Sequence, residues 1–91
     1  MIKEIKEIIS MDILPKYSSF CNHIDLEFTN SYTHSKFIHF KPTLCLKSLS
    51  DSLCPKEFMN LKYEIYKTIE TCSNKKAILV DEWELTSKYE N

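Results

Sequence analysis

The sequence predicts an α+β two-layer sandwich. Its parts are a small, mostly antiparallel sheet of three to four strands, one main helix packed on it, and a short N-terminal helix. Three observations carry that expectation. Apolar residues alternate with polar ones over 23–29 and again over 36–48, the period of a strand with one wet face. Between 55 and 73 they recur every three or four residues, the period of a helix with one apolar stripe. A chain of 91 residues has room for one core, so we read residues 1–91 as a single domain.

Residues 2–11 read as a short helix, with Ile2, Ile5, Ile8 and Ile9 on one face and Lys3, Glu4, Lys6 and Glu7 opposite. Pro15 limits its extension. The helix docks on the core or, on the alternative reading, pairs with a second copy. Residues 23–29 form the clearest strand: Ile24, Leu26 and Phe28 face inward, and His23, Asp25, Glu27 and Thr29 face water. Residues 30–35 are a polar turn holding Tyr32. Residues 36–48 read as one long strand with Ile38, Phe40, Leu44 and Leu46 inward. A bulge at Pro42 would place that strand at a sheet edge. Asp51 and Ser52 are capping residues, and Pro55 suits the first helical position.

The main helix covers 55–73, with Phe58, Leu61, Ile65, Ile69 and Cys72 as its core stripe. Ser73-Asn74 ends it without glycine. Residues 76–85 read as the last strand, central because Ala77, Ile78, Leu79 and Val80 are apolar on both faces. Residues 86–91 read as a polar tail. If the last strand lies beside the first pair, the main helix is the crossover to it.

What the composition lacks excludes several function classes. There is no glycine, so standard phosphate-binding loops, dinucleotide folds, nucleophile elbows and EF-hand loops are ruled out. There is no arginine, and the net charge is −1. Direct binding to duplex DNA is therefore disfavoured, since that affinity comes from a basic face. No apolar run approaches the ~20 residues that cross a bilayer. The N-terminus alternates Lys and Glu among Ile residues, unlike a signal peptide. We therefore expect a cytoplasmic protein with reduced thiols, no membrane partner and no cofactor.

Three constellations invite chemistry. Cys21, His23 and His34 would converge around the first turn, but the cysteine spacings lack the close pairs of zinc sites, so no metal is expected. Cys54 precedes the main helix, whose N-terminus favours a thiolate, and His34 or His39 would be its partner. No oxyanion hole is legible for it, and a capping role is the simpler reading. Glu82 and Glu84 would share one strand face about 7 Å apart, beside Asp81. From residue 81 onward there are four acids and one lysine, a local charge of −3 that suits a basic partner surface.

The most informative feature is a second helical stripe of Met59, Tyr63 and Tyr66, about 120° around from the core stripe. Met and Tyr are enriched at interface centres. Phe37 points to the uncovered side of the sheet. We therefore expect a non-enzymatic protein–protein interaction module, binding a larger host protein through Met59, Tyr63, Tyr66, Phe37, Glu82 and Glu84. A homodimeric structural or regulatory protein and an RNA-binding module are the alternatives.

The residue usage, rich in Lys, Ile, Asn, Tyr and Phe, is that of AT-rich coding DNA. Small, glycine-free and mildly acidic, the chain is similar in character to phage- or virus-encoded inhibitors of host defence. That likeness implies an antagonist role, although no motif carries it.

Overall fold

The computed structural model describes residues 1–29, 36–47 and 54–87. It is a compact α+β fold with a four-stranded sheet and a main helix packed on one face, as the sequence predicts. The turn at 30–35 with Tyr32 and His34, the caps Asp51 and Ser52, and residues 88–91 lie outside the described residues.

Helix α1 spans Ile2–Ile8 and widens into a π-helical segment, Ile9–Ile13, followed by a 3₁₀ turn, Leu14–Lys16. The helical path thus runs past the predicted end at residue 11. Pro15 shapes its finish, because it has no N–H to give to the carbonyl four residues back and its ring crowds that carbonyl. Ile5, Ile9, Ile13 and Leu14 are buried, so the helix uses most of its apolar face inside this chain.

Strand β1, Phe20–Thr29, pairs antiparallel with β2, Phe37–Leu46. Ile24 and Leu26 face the core as predicted, and Phe28 packs against it. The irregularity of the hairpin lies in β1, not at Pro42. Phe20 opposes Leu46 and Ile24 opposes Leu44, so Cys21, Asn22 and His23 stand against Cys45 alone. This bulge lets the strand start three residues earlier than its alternation suggests.

The edge position predicted from Pro42 is also wrong. Strand β2 is central, with β1 on one side and two short parallel strands on the other. Strand β3, Lys76–Leu79, pairs with Phe37–Phe40, and β4, Glu84–Ser87, pairs with Thr43–Leu46. The Lys36 and Phe40 carbonyls accept from Lys76 and Val80 N–H at 3.0 and 2.9 Å. Backbone groups alternate sides along a strand, so Pro42 faces this same side, where β3 has ended and β4 has not begun. A central proline is tolerated because its missing N–H falls on that gap.

The single strand predicted for 76–85 is therefore two strands on the outer side of β2. Strand β3 closes the sheet at its edge, and Ile78 and Val80 are exposed. Thr86 and Ser87 belong to β4 and not to a tail.

Helix α2 spans Pro55–Ser73 and is the crossover from β2 to β3. Leu61, Ile65 and Ile69 are fully buried, with Phe58, Tyr66 and Cys72 packed beside them. Asn74 closes the helix in the left-handed region at φ 56°, its N–H donating to Glu70 O at 2.9 Å. Asn is the residue after Gly that best tolerates this geometry. Glu70 Oε2 accepts from Ala77 N–H at 3.0 Å, so the helix end also fixes the start of β3.

Candidate functional site

The six predicted contact residues do not form one surface. Met59 and Tyr63 lie on the outer face of α2, at 67% and 61% exposure. Lys67 extends that row, its Nζ 5.8 Å from the centre of the Tyr63 ring. Tyr66 leaves the stripe. Its ring meets Phe40 edge-on at 5.1 Å and Trp83 at 6.0 Å, inside an aromatic cluster between helix and sheet. Burial, and to a lesser extent the charge of Glu70, raises the Tyr66 phenol above its ordinary range. Tyr66 thus belongs to the packed layer and is not part of an open stripe.

Phe37 and Glu84 lie on the opposite side of the molecule, on the sheet face that α2 leaves uncovered. The register builds this face row by row. Phe37 stands beside Lys76, and His39 stands between Thr29 and Ile78. Lys41 is beside Glu27, and Thr43 is between Asp25 and Glu84. At one end, Phe37, Ile78 and Val80 are large apolar side chains at 44%, 37% and 50% exposure. At the other end, Asp25, Glu27 and Glu84 gather around Lys41, whose Nζ is 3.6 Å from Glu84 Oε1.

A cleft of about 380 Å³ opens at the acidic end, lined by these four residues with Lys6 and Thr43. Thr43 Oγ1 lies 3.5 Å from Glu84 Oε2. In the middle row, His39 Nδ1 is buried with no hydrogen-bond partner among the described residues. Asp81 and Glu82 are exposed in the link between β3 and β4, so Glu82 does not share a strand face with Glu84.

Among the described residues the catalytic and metal constellations are not assembled, and His34, a member of both, lies outside those residues. Cys54 is the N-cap of α2 and exposed, but His39 sits near the start of β2, at the other end of the sheet. The Phe20–Phe58 contact at 6.1 Å and the Phe20–Leu46 pairing put the start of α2 at the far end of the hairpin. Cys21 faces Cys45, and His23 Nε2 is 3.4 Å from Asp25 Oδ1. Among the described residues, no three or more His, Cys, Asp or Glu are grouped to hold a metal ion. No helix among them is long and apolar enough to cross a membrane.

One polar cluster has no precedent in the sequence pattern. Lys16 Nζ and the Tyr17 hydroxyl each donate to a different carboxylate oxygen of Glu64, pinning the chain after the 3₁₀ turn to α2. Burial, reinforced by the hydrogen bond to Glu64, pushes the Tyr17 phenol up to about 12. Burial also acts to raise Glu64, but the hydrogen bonds from Lys16 and Tyr17 outweigh it and hold the carboxyl below its ordinary 4.5.

The linkage has two signs. The Glu64 contribution is present above pH 4.5 and is lost as pH falls through the lowered value. The Tyr17 contribution is full below pH 10 and is lost as pH rises towards 12. Urea unfolding across pH should show both limbs. Glu64→Gln should flatten the acid limb and Tyr17→Phe the alkaline one. Unchanged limbs would show that the cluster carries no pH dependence.

Compared with protein-family models, with curated proteins and with solved structures, the chain finds no match.

Proposed function

We propose that the protein is a non-enzymatic interaction module whose uncovered sheet face docks a basic, partly apolar surface of a larger protein. The observation that carries this reading is the division of one sheet face into two adjoining halves. Phe37, Ile78 and Val80 supply apolar area at one end, and Asp25, Glu27 and Glu84 supply negative charge at the other.

Such a face suits a partner with lysine or arginine beside aliphatic side chains. Apolar burial supplies affinity, and charge supplies orientation and encounter rate. The exposed acids Asp81 and Glu82 extend the negative field along the β3–β4 side.

Site-specific photo-cross-linking tests the reading. A benzophenone side chain is placed at Phe37, or at Tyr63 on the opposite face, and irradiated in extract of the source cell. We expect an adduct from position 37 and none from position 63. The adduct should bear a basic surface, weaken with salt, and fall at least about tenfold with Asp25→Lys and Glu84→Lys together. An adduct from position 63 alone would move the function to the helix face. An adduct of the chain with itself would replace the proposal by a homodimer.

A further inference from the structure

We propose that Cys21 and Cys45 are a redox modification site, in which oxidised glutathione or a similar small disulfide converts the two thiols to a bridge between β1 and β2. The two sulfur atoms lie 3.1 Å apart. They belong to neighbouring strands, at the place where Cys21, Asn22 and His23 bulge against Cys45. The sulfurs need to approach by only about 1 Å to bond.

The two thiols differ in access and role. Cys45 is 9% exposed on the central strand, and Cys21 is half-buried on the outermost strand. The Cys45 S–H donates to the Cys21 sulfur and lies 3.6 Å from the Leu46 carbonyl. Cys21 is therefore the thiol that a small disulfide in solution reaches first, with the Cys45 sulfur in place to resolve the adduct.

The exchange then balances in two steps. The Cys21 thiolate attacks one sulfur of glutathione disulfide, breaking that S–S bond and expelling one glutathione thiolate. Cys45 loses its proton to solvent and attacks the Cys21 sulfur, expelling the second. Two protein thiols are oxidised, and one glutathione disulfide is reduced to two thiols.

The other two cysteines cannot bridge each other. Cys54 and Cys72 stand at opposite ends of α2, 18 residues apart, which is roughly 27 Å along a helix. The bridge would close the whole hairpin and fix the bulge that adjoins Asp25.

The test uses the full chain, reduced and then incubated with glutathione disulfide, followed by intact mass and peptide mapping. We expect a product lighter by two hydrogens with Cys21 joined to Cys45. The same product should form when Cys54 and Cys72 are both serine. Its melting temperature should rise on the order of 10 °C and return on reduction. Cys45→Ser should stop at a mixed disulfide on Cys21. The proposal is overturned if the Cys54→Ser, Cys72→Ser protein stays reduced, or if it holds a lasting glutathione adduct without closing. The mapping needs no substitution at positions 21 or 45, so it stands even if those variants fail to fold.

Discussion

Tyr66→Glu should lower the melting temperature on the order of 20 °C, whereas Tyr63→Glu should lower it by less than about 4 °C. The two tyrosines are three residues apart on one helix and have the same chemistry, but their surroundings differ. The Tyr66 ring is held edge-on by Phe40 and Trp83, and Phe40 is fully buried. A glutamate there removes both ring contacts and sets a carboxylate against an apolar layer, with Glu70 one turn away. A cost of about 3 kcal/mol is a large share of the stability of a domain this size.

Tyr63 is mostly exposed, and its cation–π contact with Lys67 is a surface interaction worth under about 1 kcal/mol. Tyr66→Phe keeps the ring and should hold most of the stability. Thermal melts of the three variants decide the matter. Equal losses for Tyr63→Glu and Tyr66→Glu would mean that the aromatic layer is not the one described.

Helical periodicity alone could not separate these residues. The stripe Met59, Tyr63, Tyr66 is real as a pattern, but a ring at position 66 can reach either way round the helix. What decides it is Trp83, seventeen residues further on, which fills the space beside Phe40. Where burial is set by local alternation, the sequence was readable. Ile24, Leu26, Ile38, Phe40, Leu61, Ile65 and Ile69 all face the core as their periods require. The limits Pro55 and Ser73 of α2 were also legible, since a proline at the first position and Asn74 just past the last are local signals.

Reading failed where a residue's role depends on a distant strand. Pro42 signals an edge by itself, and only the gap between β3 and β4 explains its central place. The run Ala77 to Val80 signals a central strand, but apolar side chains on both faces also describe an edge strand whose outer face is Ile78 and Val80. The same failure split the candidate site. Phe37 and Glu84 carry separate local signals, and the register places them at the two ends of one uncovered face. Alternation already sets Asp25 and Glu27 on the wet face with Phe37, but Ile78, Val80 and Glu84 join them through long-range parallel pairing that no local pattern shows. The Tyr17–Glu64 cluster escaped for a related reason, because its partners are 47 residues apart in the chain.

Trp83→Ala tests why the last segment breaks in two. Strand β3 ends at Leu79 and β4 starts at Glu84, and Trp83 is the residue that turns inward between them. Its indole meets Phe40 at 5.9 Å, Tyr66 at 6.0 Å and Phe58 at 6.4 Å, each near edge-on. Edge-to-face rings at these distances each add about 0.5–1.5 kcal/mol beyond burial. Truncation should therefore cost about 3–4 kcal/mol in urea unfolding.

The loss should be uneven. The hairpin of β1 and β2 has its own buried core of Ile24, Leu26, Ile38 and Leu44 and makes its ring contact with the indole through Phe40. Strand β4 pairs through only four residues and follows directly on the indole. Hydrogen exchange in the variant should show the amides of Glu84–Ser87 opening first, while those of Ile24 and Leu44 keep most of their protection. If the β4 amides stay as protected as before and stability falls by less than about 1 kcal/mol, the anchor is the pairing with β2 itself. The break at residues 80–83 would then follow from Pro42 alone.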